Sequence, residues 1–112
     1  MSCVNFSSNG KYLVSCSSDL TVKLWELQEY QCIKTFNGHN HSVSSAAFLM
    51  DDEYVISCSR DKTVRLWEIS SGFLKRTYTG HEDWVRQVIS TKDSKTLASC
   101  SNDQKILIWS LD

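Results

Sequence analysis

Tryptophan marks a strict internal period in this chain. Trp25, Trp67 and Trp109 recur at a step of 42 residues, and Asp19, Asp61 and Asp103 keep the same step, each six residues before its Trp. Cys16, Cys58 and Cys100 hold the register again, as do Gly38-His39 and Gly80-His81. Several residue types locked in one register make the chain a tandem repeat. A repeat of this length restricts the fold to architectures that stack one small supersecondary unit against the next.

The text around each Trp says what that unit is. The first copy reads Ser15-Cys16-Ser17-Ser18-Asp19-Leu20-Thr21-Val22-Lys23-Leu24-Trp25 and the second Ser57-Cys58-Ser59-Arg60-Asp61-Lys62-Thr63-Val64-Arg65-Leu66-Trp67. The third, Ser99 to Trp109, is looser. Val22 and Leu24 alternate with Lys23, and Val64 and Leu66 with Arg65, which is the two-residue period of a strand. The Ser-x-Asp-x segment between each strand pair is a turn, because the Asp carboxylate can hydrogen-bond local backbone. Strands are expected near 2–6, 11–16, 21–25, 32–36, 43–49, 54–58, 63–67, 73–78, 85–89, 96–100 and 105–109, with no helical period anywhere. The fold class is therefore all-β.

Composition narrows the function classes. A net charge of −1 offers no basic field for nucleic acid or anionic lipid. No apolar run approaches the roughly 20 residues that cross a bilayer as a helix, so no membrane insertion is expected. Five cysteines is an odd count without a Cys-x-x-Cys pair. That pattern argues against a disulfide framework and fits a reducing intracellular compartment better.

A 42-residue unit of four short strands, with Gly-His upstream and Trp on the third strand, resembles the WD-repeat β-propeller family. The resemblance implies blades at 1–37, 38–79 and 80–112: two complete four-stranded blades plus most of a third. The first has a truncated start without Gly-His, and the last lacks its final strand. Propellers close with roughly 4–8 blades, so the segment is expected to be an incomplete part of a longer propeller. The resemblance also implies a buried polar network in each blade. It would use His39, Ser57, Asp61 and Trp67 in the second, His81, Ser99, Asp103 and Trp109 in the third, and Ser15, Asp19 and Trp25 in the first. Ser59 and Ser101 remain alternatives for the hydroxyl.

Three sharper readings of these residues compete with the structural one. Ser, His and Asp together invite a hydrolase triad, but the serines fall in mid-strand without a G-x-S-x-G elbow, and the trio repeats where an active site is built once. No catalytic residue is assigned and the chain is read as a non-enzyme. Cysteines and histidines spaced by the repeat do not match the short ligand pairs of zinc sites, and no metal or cofactor is expected. Asp51-Asp52-Glu53 lacks the oxygen-rich loop with its sixth-position Gly that calcium needs and is read as a solvated turn.

Two residues depart from the repeat. Arg60 stands where the other copies have Ser18 and Asn102, and Trp84 where the second copy has Ser42. In WD propellers these positions lie at the partner-binding rim, and Arg and Trp are enriched at interface hot spots. The wording of Glu29 to Ser45, Tyr78 to Arg86 and Leu97 to Gln104 further resembles the lissencephaly family of WD-repeat proteins. That likeness implies a seven-bladed propeller regulating cytoplasmic dynein in microtubule-based transport, nuclear migration and mitotic spindle orientation. It implies the dynein motor domain as partner, with Arg60 and Trp84 on the contact face. It also implies association with the catalytic subunits of a platelet-activating-factor acetylhydrolase, and a cytoplasmic, cytoskeleton- and centrosome-associated location. The alternative is a WD-repeat adaptor of another complex, in ubiquitin ligation, transcription or RNA processing.

Overall fold

A computed structural model describes residues 3–49, 52–91, 93 and 95–110. Eleven strands follow one another: β1 (Cys3–Phe6), β2 (Tyr12–Cys16), β3 (Thr21–Glu26), β4 (Gln31–Asn37), β5 (Val43–Leu49), β6 (Tyr54–Ser59), β7 (Thr63–Glu68), β8 (Leu74–Thr79), β9 (Val85–Ser90), β10 (Thr96–Ser101) and β11 (Ile106–Ser110). They form three antiparallel meanders, β1-β2-β3-β4, β5-β6-β7-β8 and β9-β10-β11. This is the expected all-β architecture of propeller blades, arranged as an open stack. Ser2, placed in the first expected strand, and Asp51 of the acidic run lie outside the described residues.

The hairpin turns follow from the repeated Ser-x-Asp-x text. Leu20, Lys62 and Gln104, each just after the turn Asp, have φ of 80°, 75° and 68°. This left-handed conformation costs an L-residue about 1–2 kcal/mol. The Asp offsets it: Asp61 Oδ1 accepts the Thr63 N–H at 2.9 Å, and Asp19 and Asp103 do the same for Thr21 and Lys105. The turn thereby supplies its own hydrogen bonds and sets the strand register.

Packing explains why β6 reads as an apolar run rather than an alternation. Val55 faces the first sheet, in a core with Val14, Val22, Leu24, Phe36, Val43 and Ala46. Ile56 and Cys58 face the third sheet, with Val64, Leu66, Val85, Val88 and Leu97. The middle sheet is thus covered on both sides, as in any sheet sandwiched between others. Ile89, Ile106 and Ile108 of the third sheet are exposed. They stand 42 residues after Ala47, Val64 and Leu66, which the third sheet helps to cover.

Two expectations are sharpened by the structure. Cys3 and Cys16 are joined in a disulfide, a single pair where no disulfide framework was expected, and the other three cysteines are free. The joined pair are direct cross-strand partners of β1 and β2 with Cα atoms 5.3 Å apart, a proximity that residue spacing alone does not reveal. Asp52 lies in the expected solvated turn and there joins two sheets. It accepts the Ser8 N–H at 3.0 Å and the Ser8 hydroxyl at 2.6 Å, which ties the first turn of one sheet to that of the next.

Tyr78 occupies the position of Phe36, 42 residues on, and its ring packs 5.3 Å from that of Trp109. Its buried hydroxyl has no hydrogen-bond partner among the described residues. Tyr78→Phe should therefore leave stability unchanged or raise it by up to about 1 kcal/mol. Leu97→Ala, in the fully buried second core, should cost about 2–5 kcal/mol. Urea unfolding followed by Trp fluorescence checks both.

Candidate functional site

The residues of the repeated network meet at one end of the sheets. That end carries the turns 17–20, 60–62 and 102–105 and the loops 38–42 and 80–84. In the second sheet the Trp67 indole N–H donates to Ser57 Oγ at 2.8 Å, Ser57 lies 2.7 Å from His39 Nε2, and His39 Nδ1 lies 2.9 Å from Asp61 Oδ2. The third sheet repeats the set: Trp109 to Ser99 at 2.8 Å, Ser99 to His81 at 2.8 Å and His81 to Asp103 at 3.0 Å. The first sheet has Trp25 to Ser15 at 2.9 Å, and among the described residues Asp19 bonds only within its own turn.

The direction of these bonds follows from donor chemistry. A carboxylate only accepts, so His Nδ1 carries the proton and a neutral His Nε2 accepts. The serine hydroxyl then donates to Nε2 and accepts from the indole. Each buried group has a partner, the serine hydroxyl donating once and accepting once, the condition under which a buried network rigidifies its surroundings. Ser57 and Ser99 take this place. Ser59 instead donates to the His41 and Ser42 carbonyls, at 3.0 and 2.9 Å, and Ser101 to that of Asp83. Both serines of a pair lie on one strand face, and the one a step deeper meets the indole.

The Gly before each His admits the indole of the same network. A Cβ at Gly38 would stand 2.9 Å from Trp67 Cη2 and 2.8 Å from Arg65 Nη1, and one at Gly80 would stand 3.1 Å from Trp109 Cη2. Sequence reasoning missed Thr63 and Arg65. Thr63 bonds Asp61, and the Arg65 guanidinium lies 4.0 Å from its carboxylate.

Electrostatics follow the same bonds. Burial alone would push Asp61 up, but bonds from His39, Thr63 and the Asn40 N–H outweigh it and hold the carboxyl well below its usual range. For Asp103, burial is likewise outweighed, by the Glu82 N–H, His81 and the Lys105 N–H, and the carboxyl is held at about 2.

The two residues that break the repeat also meet. The Arg60 guanidinium lies over the Trp84 ring, 3.9 Å from its centroid, and that of Arg86 lies 4.5 Å from it. Contacts of this kind contribute about 0.5–1 kcal/mol each at exposed sites. The Trp84 indole N–H donates to the Ser44 hydroxyl. Arg60 belongs to the β6–β7 turn and Trp84 to the β8–β9 loop, so the cluster spans the junction of two sheets. Arg60 and Arg86 are exposed while Trp84 is half-buried. Arg86 was not singled out from sequence, although it stands two residues after Trp84 at a strand start and so shares its side by the two-residue period.

Two outcomes test the network. Ser57→Ala leaves the His39 Nε2 and Trp67 N–H buried without partners and should cost about 2–4 kcal/mol, whereas Ser15→Ala orphans a single half-buried indole and should cost about 1 kcal/mol; equilibrium urea unfolding separates them. Both network carboxyls titrate lower in the folded chain than unfolded. Their stabilisation is complete above the ordinary value of 3.8 and is lost as pH falls below it, towards about 2 for Asp103. The urea midpoint should thus drop between pH 5 and about pH 2, and Asp61→Asn should flatten that drop.

Residues 1–26, 30–68 and 72–110 each match the family described as WD domain, G-beta repeat. Among relatives, a Nuclear distribution protein PAC1 of Gibberella zeae is 60% identical over 38 residues, 33% of this chain and 8% of that protein. One of Candida tropicalis is 51% identical over 41 residues, 37% of this chain and 8% of the relative. Nuclear distribution protein nudF 1 of Talaromyces marneffei is 48% identical over 44 residues, 38% of this chain and 10% of the relative. The aligned segments are thus a small part of each relative's length. Matches to all three repeats, covering most of its residues, make this chain a member of the WD domain, G-beta repeat family.

Proposed function

We propose that the chain is part of a non-enzymatic protein-interaction scaffold that regulates cytoplasmic dynein, with the Arg60–Trp84 cluster as a contact point for the motor domain. The observation that carries this reading is the stack itself. Two exposed guanidinium groups lie over one half-buried indole at the loop end, where neither is needed by the polar networks. An arginine held over an aromatic ring keeps its donors free for carboxylates or carbonyls of a partner and loses less freedom on binding. The likeness to nuclear distribution proteins and the resemblance of Tyr78 to Arg86 to the lissencephaly family favour the dynein pathway over another complex.

The non-enzymatic part rests on access. Ser57 is 0% exposed and Ser99 1%, and each hydroxyl is held between an imidazole and an indole, so no substrate carbonyl can reach it. Acetylhydrolase activity in a purified sample would come from bound catalytic subunits. In this reading 1–37, 38–79 and 80–112 act as successive blades, and the protein works in the cytoplasm, at the cytoskeleton and centrosome.

In the intact protein, Arg60→Ala and Trp84→Phe should each raise the Kd for the dynein motor domain by at least about fivefold, roughly 1 kcal/mol, with the unfolding midpoint nearly unchanged. Biolayer interferometry on the motor domain measures this. Unchanged affinity in both variants removes the assignment.

A further inference from the structure

Trp84 stands at the seam of the second and third sheets, and its backbone is held on both sides. Its N–H donates to Asp83 Oδ1 at 2.7 Å, and its carbonyl accepts the Asn102 N–H at 2.9 Å. The ring keeps a freedom of its own. Rotation about the bond to an indole is broad and roughly two-fold, and a guanidinium attracted to the π-face favours neither orientation. A directional bond at the ring edge chooses between them. The Trp84 N–H makes such a bond, to the Ser44 hydroxyl of β5.

The backbone of β5 aims that hydroxyl. Val43 pairs with Ser59 and Ser45 with Cys58, so Ser44 falls between them as a bulge without a partner across the ladder. A bulge turns a side chain out of the regular alternation, here towards the next sheet. The bulge recurs one repeat on, where Val85 pairs with Ser101, Gln87 pairs with Cys100 and Arg86 falls between. Ser44 and Arg86 are thus the same position in successive copies, and both serve one indole. Ser44 meets its N–H from the neighbouring sheet, and Arg86 lies over its face from its own strand. At the seam of the first and second sheets the places of Arg60, Trp84 and Arg86 are held by Ser18, Ser42 and Ser44, which carry neither a ring nor a guanidinium.

We infer that Ser44 is a positioning residue of the contact point: its hydroxyl fixes the orientation of the Trp84 ring, and with it the places where Arg60 and Arg86 present their donors. This rests on the reading of the cluster as a partner site. Ser44 and Trp84 are half-buried while both arginines are exposed, so the hydroxyl acts through the ring and not on the partner.

The intact protein is labelled with fluorotryptophan, and the fluorine NMR line of Trp84 is identified by its loss in Trp84→Phe. Ser44→Ala should shift that line in the free protein, and Ser44→Thr, which keeps a hydroxyl, should leave it near its original place. By biolayer interferometry, affinity for the dynein motor domain should fall about threefold to tenfold in Ser44→Ala, the worth of one hydrogen bond, and stay within about twofold in Ser44→Thr. In the Trp84→Phe background there is no N–H to hold, and Ser44→Ala should cost nothing further. An unmoved Trp84 line, or a loss of affinity just as large in the Trp84→Phe background, overturns the positioning role. So does unchanged affinity in Ser44→Ala where Arg60→Ala weakens binding. Unchanged affinity in Arg60→Ala and Trp84→Phe as well removes the partner site and Ser44's part in it, and a Trp84 line that still moves then traces the failure to the site and not to the Ser44 bond.

Discussion

No sheet in this chain can be stable alone, because its apolar side chains stand on both faces and only a neighbouring sheet can cover them. Val55 and Ile56 are adjacent on β6, and each is fully buried against a different neighbour. A single meander of four short strands would leave one of those faces in water, and isolated strand pairs are marginal at best. The stack is therefore the unit of stability, and each repeat is meaningful only next to another.

The polar networks solve a problem that this stacking creates. Trp67 fills the seam between the first and second sheets, where it packs on Phe36 with ring centroids 5.5 Å apart. Burying an indole brings its N–H out of water, and that donor needs a partner. Ser57 supplies it, His39 satisfies Ser57, and Asp61 satisfies His39 at the surface end, where backbone N–H groups share the charge. The same carboxylate holds the left-handed turn at Lys62. One Asp thus links turn geometry, loop position and core packing in the second and third copies, while in the first Asp19 holds its turn and Ser15 alone receives the indole.

The rim where these networks end is also where the repeat is broken. Arg60 and Trp84 replace residues that in the other copies are small or polar, yet they leave the backbone pairing intact. The Arg60 N–H donates to the Ser42 carbonyl just as the Asn102 N–H donates to that of Trp84, at 3.0 and 2.9 Å. Side chains at such positions can vary from copy to copy without disturbing the sheet pairing.

Local chemistry was legible in the sequence. The two-residue alternation located the strands, Ser-x-Asp-x located the turns, and the common step of Trp, Asp, Cys and Gly-His set the repeat, because each depends on residues close in the chain. Other features were decided only by tertiary structure. Ser57 and Ser59 share a face, and depth below the loop chose between them. Arg60 and Arg86 converge on Trp84 only because two sheets abut at that seam. Cys3 and Cys16 face each other because β1 pairs with β2 in one register among several. Periodicity says which side a residue faces, and only the packed sheets say what it meets there.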